Sequence, residues 1–166
     1  MLKNKERNLS KSISISAVFA ALYALGVVFL APISYQLIQL RLADALLPLT
    51  ILFGWPAVLG VTIGCFVANV FGGIGIVDVI GGSVANFLAG LLAWKIGLKG
   101  FKGAWVAGIL GQIIVIAVIV GSYLSVLFNM PLILGIGGLL ASNAITIGII
   151  GYILLKVLYR ALHPTD

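Results

Sequence analysis

Three polar side chains with complementary chemistry stand close together between two apolar runs. They are Gln39, Arg41 and Asp44, in the stretch QLRLADALLP at residues 39–48. Alternation of Gln39 and Arg41 with leucines indicates an extended segment, and the spacing of three between Arg41 and Asp44 indicates a turn entering a helix. An amide, a guanidinium and a carboxylate together can donate and accept hydrogen bonds to a small polar ligand. The alternative is that Arg41 serves only as a structural partner of Asp44.

Further polar side chains recur in the other apolar runs. A second carboxylate, Asp78, lies in GIVDVIGGSVANF. The remaining candidates for substrate binding are four amides and one phenol: Asn69, Asn86, Gln112, Asn143 and Tyr123. Polar groups inside membrane spans usually face a cavity or a partner. The alternatives remain open, since the carboxylates could instead stabilise helix N-termini and the amides could join helices.

The residues that catalysis or metal binding would require are not grouped in this sequence. His163 is the only histidine and lies in the C-terminal tail, while Cys65 is the only cysteine and lies in an apolar run. No Gly-Lys-Ser/Thr phosphate loop occurs. We therefore expect no enzyme activity, no ATP hydrolysis by this chain, no metal site and no cofactor.

Composition defines the class of protein. The chain is 62% hydrophobic and 8% charged, whereas soluble domains are about 25% charged. Apolar runs long enough to cross a bilayer of about 30 Å recur along the sequence. The sequence therefore predicts an all-α integral membrane protein. Its basic residues form membrane-flanking clusters, which argues against nucleic-acid binding.

Six transmembrane helices are predicted within one membrane domain, residues 1–166. Proline and glycine clusters separate spans at about 12–31, 43–54, 57–71, 76–94, 104–127 and 132–158. The six-helix bundle is expected over 12–158, with tails at 1–11 and 159–166. The second span is short, because twelve helical residues reach only about 18 Å.

The orientation follows from the positions of lysine and arginine. Basic residues cluster before the first span, in the loop KIGLKGFKG at 95–103, and at the end of the last span. The positive-inside rule then places both termini and this loop in the cytoplasm. The expected location is the plasma membrane of a prokaryotic cell, as a multi-pass protein.

Small residues form two stripes. Ala17 and Ala21 make an A-x-x-x-A pattern on the first helix, and a second stripe on the third helix comprises Gly60, Gly64, Ala68 and Gly72. Such stripes let helices approach closely. We interpret the second stripe as internal packing, whereas the first is compatible with a partner protein.

Three segments in order resemble the QueT family of queuosine-precursor transporters. They are QLRLADALLPL, GWPAVLGVTIGCFVANVFGG and IVDVIGGSVANFLAG. The family pairs Q-x-R-x-(A/S)-(E/D)-A-L with G-x-x-x-G-C-x-x-A-N and D-x-x-x-G-S, and the resemblance covers about residues 13–158. Asp44 stands where the family more often has Glu.

The resemblance implies a substrate-binding S component of an energy-coupling factor (ECF) transporter, an ABC importer for vitamins and similar nutrients. Such a component binds its ligand near the outer face, and the loop after helix 1 covers it. The expected ligand is a 7-deazaguanine, such as the aminomethyl or cyano form. The expected partners are a transmembrane coupling subunit, contacted through Ala17 and Ala21, and two ATPase subunits.

Two other classes of function remain open at this stage. One is a proton-coupled secondary carrier of a small polar heterocycle or another vitamin, with Asp78 relaying protons. The other is a membrane assembly protein that transports nothing and works through its small-residue stripes.

Overall fold

A computed structural model describes residues 2–30 and 40–164 of the chain. These residues form six helices and no β-strand, which confirms the predicted all-α class. The helices are α1 (Leu2–Phe29), α2 (Leu42–Phe53), α3 (Trp55–Gly72), α4 (Ile76–Gly97), α5 (Ala104–Leu127) and α6 (Leu132–Leu162). All except α2 are long and apolar enough to cross a membrane.

Most predicted helix boundaries agree with the structure, and the differences lie at the polar ends. The helix α1 begins at Leu2 rather than near residue 12, so the predicted 1–11 tail is largely helical. Similarly, α4 continues to Gly97 and α6 to Leu162. The sequence-based boundaries followed hydropathy, whereas Lys, Arg, Glu and Leu favour helix on either side of an apolar run.

The helix α2 is short, distorted and central. It is a 3-10 helix over Leu42–Leu49, which contains Pro48, and an α-helix over Thr50–Phe53. Most of its 3-10 part is buried on all sides by the longer helices. Because a 3-10 helix rises about 2.0 Å per residue, α2 reaches further than an α-helix of the same length but still falls short of a full span.

The helix α6 carries a matching irregularity where it meets α2. Its middle part, Ala144–Gly151, is a π-helix. A Cβ atom on Gly151 would lie 2.7 Å from Cγ of Pro48. The absence of a side chain at Gly151 therefore permits the close contact between the two distorted segments.

The helix α1 packs against α3 through the glycine stripe, as the sequence predicts. A Cβ atom on Gly60 would lie 2.7 Å from the carbonyl oxygen of Ser16, and one on Gly64 would lie 2.7 Å from that of Ala20. The Ser16 hydroxyl donates a hydrogen bond of 2.8 Å to the Pro56 carbonyl oxygen. The stripe on α3 thus serves internal packing.

The outer surface is apolar and the interior contains the polar groups. On α4, Ile80, Val84, Leu88 and Leu92 form an exposed row with a spacing of four residues. Fully buried side chains include apolar Leu124, Ile147 and Leu155, but also several polar residues. This arrangement suits a bundle whose surface meets lipid rather than water.

We predict that Gly64→Ala destabilises the protein, because the added methyl group would overlap the α1 backbone. Overpacking of this kind costs about 1–3 kcal/mol, so the melting temperature of the purified protein should fall by several degrees. Gly137→Ala is the matched control, since a Cβ there would meet no described atom within 4 Å. The control should leave the melting temperature unchanged or raise it. Equal stability of the two variants would contradict the close α1–α3 contact.

Candidate functional site

The side chain of Arg41 is buried and joins three helices. Arg41 precedes α2, and its carbonyl oxygen accepts a 3.0 Å hydrogen bond from the Asp44 N–H, which begins the 3-10 helix. Its Nη2 lies 3.6 Å from Oδ1 of Asp78 on α4, and its Nη1 lies 3.8 Å from Sγ of Cys65 on α3. A guanidinium thus ties the start of α2 to both of its neighbours.

Asp78 holds Arg41 from the first turn of α4, where it also has two neighbours of its own. The Tyr123 hydroxyl of α5 donates a 2.8 Å hydrogen bond to Oδ1 of Asp78. Asn69 of α3 donates from Nδ2 to the Asp78 backbone carbonyl at 2.8 Å. Asn69 and Tyr123 therefore support the carboxylate that faces Arg41. Its position in the first turn of α4 also suits a carboxylate at a helix N-terminus.

Asp44 receives a hydrogen bond from a residue that the sequence did not single out. The hydroxyl of Tyr23, on α1, donates to Oδ1 of Asp44. Tyr23 is completely buried among apolar side chains. The sequence could have indicated Tyr23 in one way: it is a tyrosine in the middle of a predicted membrane span, where its hydroxyl needs a buried hydrogen-bond partner.

A small cavity lies beside these charges. Its lining combines polar side chains with an apolar wall: Arg41, Asp44, Gly82, Asn86, Ile116, Val120, Leu139 and Asn143. Its volume is about 10 Å³, which is about enough for one water molecule. Helices α2, α4, α5 and α6 all contribute to this cavity.

Two amides present unused donors at the cavity. The Nδ2 atoms of Asn86 and Asn143 are buried and have no hydrogen-bond partner within the parts of the chain that the structure describes. Asn86 is 3% exposed and Asn143 is 2% exposed. Because a buried N–H without an acceptor costs free energy, these amides are poised to meet acceptor atoms of a ligand.

The predicted amide on α5 is Gln112, and its N–H group contacts α2 rather than the cavity. Nε2 of Gln112 donates to the Leu47 carbonyl oxygen at 2.9 Å and lies 3.3 Å from Oγ1 of Thr50. Gln112 thus fixes α2 to α5, and it does not line the cavity. Its buried Oε1 has no hydrogen-bond partner among residues 2–30 and 40–164.

The remaining predicted residues lie elsewhere. Gln39 falls outside the described residues. Ala17 and Ala21 are exposed on the face of α1 that points away from the bundle. The opposite face of the same helix carries Tyr23, so α1 lies between the buried carboxylate and the small-residue stripe.

Five helices long and apolar enough to cross a membrane, a short sixth helix and a buried polar site define a multi-pass membrane protein. The chain belongs to the QueT transporter family, whose profile matches residues 13–160. Membership confirms the family that the three sequence segments indicated. It also indicates a transport subunit rather than an enzyme. Comparison with curated proteins and with solved structures gave no match.

We predict that Arg41→Met strongly destabilises the protein, because it leaves Asp44 and Asp78 buried without a cation. Removing one partner of a buried ion pair costs about 3–5 kcal/mol, which should appear as a large drop in melting temperature. The double variant Arg41→Met, Asp78→Asn should recover part of that loss. Lys99→Met, at an exposed position of the basic loop, is the control and should leave the melting temperature unchanged.

A double variant no more stable than Arg41→Met alone would contradict the coupling between Arg41 and Asp78. Measuring Asp78→Asn alone as well completes a double-mutant cycle, which isolates this coupling from the separate effects of changing either side chain.

Proposed function

We propose that the chain is the substrate-binding S component of an ECF-type ABC importer, and that its ligand is a queuosine precursor of the 7-deazaguanine class. The single observation that carries the proposal is the cavity lined by Arg41, Asp44, Asn86 and Asn143 in a chain of the QueT transporter family. These four side chains are buried, belong to three segments of the chain (the start of α2, α4 and α6) and line one cavity.

The chemistry of the four side chains suits a guanine-like ring. Such a ring has adjacent N–H donors on one edge, which a carboxylate such as Asp44 can accept in a bidentate manner. Its carbonyl oxygen and ring nitrogen need donors, which Asn86, Asn143 and Arg41 supply. Ile116, Val120 and Leu139 offer an apolar wall for the flat face of the ring.

The ring is larger than the cavity, so binding must be accompanied by movement of the surrounding segments. The distorted helix α2 contacts the π-helical part of α6, which begins at the residue after Asn143. A ligand that binds only an enlarged form of the cavity uses part of its binding energy to favour that form. Gln112 and Asn69 donate to backbone carbonyl oxygens and do not line the cavity, so they would affect affinity only indirectly.

The proposed role in an importer also accounts for the exposed stripe on α1. Ala17 and Ala21 are available to a transmembrane coupling subunit, and ATP would be hydrolysed by two separate ATPase subunits. Orientation with both termini in the cytoplasm would place the cavity toward the outer face, because its lining residues belong to the halves of α4, α5 and α6 that are remote from the basic clusters.

We expect purified protein to bind 7-aminomethyl- or 7-cyano-7-deazaguanine more than about tenfold more tightly than adenine, whose ring edge presents a different donor pattern. Equilibrium titration with each compound measures the difference. Binding of neither deazaguanine, by a sample with a cooperative melting transition, would contradict the proposed substrate.

The exposed stripe gives a separate test of coupling. We expect Ala17→Trp or Ala21→Trp to abolish uptake while leaving ligand binding within about twofold of the unchanged protein, because a bulky side chain prevents close helix approach. Ala141→Trp, at an exposed alanine of α6, is the matched control and should transport normally. Co-purification with the coupling and ATPase subunits should be lost in the same two variants.

A proton-coupled carrier is the rival class, and the two buried carboxylates are the observation that favours it. Uptake abolished by a protonophore at constant ATP, with normal transport by both α1 tryptophan variants, would support the carrier and refute the importer.

A further inference from the structure

A polar cleft lies at the end of the bundle that carries the basic loop. It has a volume of about 270 Å³ and is lined by residues that join α4 to α5 and by Tyr152 of α6. Gly97, Gly100 and Gly103 line it together with Trp105, so its polar atoms belong to backbone, to the indole and to the Tyr152 phenol. None of the described residues that line the cleft is charged.

The loop places two exposed cations at the edge of this cleft. Lys99 directly precedes Gly100, and Lys102 directly precedes Gly103, so each lysine adjoins a residue that lines the cleft. Positive φ angles of 63° at Gly100 and 93° at Gly103 turn the backbone at these points. The loop contains no acidic residue, so its lysines have no counter-charge nearby in sequence.

The helix α6 adds a third cation on the same side. Lys156 follows Tyr152 by four residues and precedes Tyr159 by three, so these three residues share one face of α6. Tyr152 lines the cleft, and the Tyr159 ring contacts the Trp105 ring edge to face at a centroid distance of 4.9 Å. The exposed Lys156 therefore lies on the face of α6 that borders the start of α5. Tryptophan and tyrosine beside basic residues are typical of the membrane interface.

An apolar groove continues from the cleft along the outside of the bundle. Its volume is about 250 Å³, and it runs between α5 and α6 past Ile109, Leu110 and Ile113. Val106 and Tyr152 line both spaces, so the cleft and the groove meet at these two residues. The rise of an α-helix gives the groove a length of about 10 Å between Val106 and Ile113. A polar compartment with a basic rim thus opens into an apolar one on the outer surface.

We propose that the cleft and the groove together bind one anionic phospholipid. Its phosphate would lie in the cleft beside Lys99, Lys102 and Lys156, and one of its acyl chains would lie in the groove. Charge complementarity selects this occupant, because basic pockets between transmembrane helices bind anionic headgroups. An apolar helix of another protein would match the groove but would offer no counter-charge to the three lysines.

This site is separate from the buried cavity and does not depend on the ligand of that cavity. On the orientation proposed above, the cleft lies at the inner leaflet, whose surface is anionic. Each basic residue near such a surface strengthens the attraction about fivefold. Three lysines around one cleft are therefore sufficient for a marked preference between headgroups.

Tryptophan fluorescence can report the occupant, because Trp105 lines the cleft. The chain has three tryptophans, so Trp55→Phe combined with Trp94→Phe leaves Trp105 alone. Phosphatidylglycerol and phosphatidylcholine with brominated acyl chains would be titrated into this protein in a neutral detergent. We expect phosphatidylglycerol to quench Trp105 at a concentration at least about tenfold lower. Equal quenching by the two lipids would overturn the proposal and leave the groove to an apolar helix of a partner protein.

A charge-matched pair of variants locates the preference. Lys102→Gln combined with Lys156→Gln should bring the ratio of the two quenching concentrations to within about threefold. Lys5→Gln combined with Lys11→Gln removes the same charge from α1, which lines neither the cleft nor the groove, and should preserve the ratio. Equal loss of the preference in both variants would overturn the site, because net charge alone would then explain the preference.

A change of size tests the junction between the two spaces. Val106→Phe would fill the point where the cleft and the groove meet, so it should weaken quenching by both lipids at least about threefold. Val118→Phe, at an exposed valine of α5 that lines neither space, is the matched control. Unchanged quenching in Val106→Phe would overturn the placement of the acyl chain.

A second measurement needs no variant. Native mass spectrometry of the unchanged protein, released from detergent with an equal mixture of the two unlabelled lipids, should show retained phosphatidylglycerol and little phosphatidylcholine. Retention of both lipids alike, or of neither, would overturn the proposal even if the tryptophan variants fail to fold.

Discussion

The structure depends on one buried guanidinium placed between two buried carboxylates. Arg41 could not remain charged inside a membrane bundle without acidic partners, and Asp78 lies 3.6 Å away on another helix. Burying one member of such a pair without the other would cost several kcal/mol. The helices that carry these side chains are therefore held in a single relative arrangement, and the supporting contacts of Tyr123, Asn69 and Cys65 follow from it.

The helix α1 has one face packed inside the bundle and one exposed face. One face packs on the glycines of α3 and carries Tyr23, which bonds to Asp44. The other face exposes Ala17 and Ala21. The helix that carries the exposed alanines is thus also the helix that hydrogen-bonds to Asp44.

The polar side chains of this interior divide by the groups that surround them. Gln112 and Asn69 donate to backbone carbonyl oxygens, and each of them fixes one segment to another. Asn86 and Asn143 open onto the cavity with donors that the described chain does not use. Amide side chains of this interior therefore differ in whether a backbone carbonyl oxygen accepts their N–H groups.

The sequence alone determined the class, the number of helices and most of their boundaries, because hydropathy and turn residues are local properties. Residues 104–127, for example, form α5 as predicted. It also singled out Arg41, Asp44 and Asp78, because charge is scarce in such a chain, but it offered Asp44 and not Asp78 as the partner of Arg41. Only the tertiary structure decided which amides reach the cavity, since that depends on the rotation of each helix about its axis. The same holds for Tyr23, whose role depends on a partner 21 residues away in sequence. The contact between Pro48 of the 3-10 segment and Gly151 of α6 likewise appears only in the structure, because it joins residues far apart in the chain.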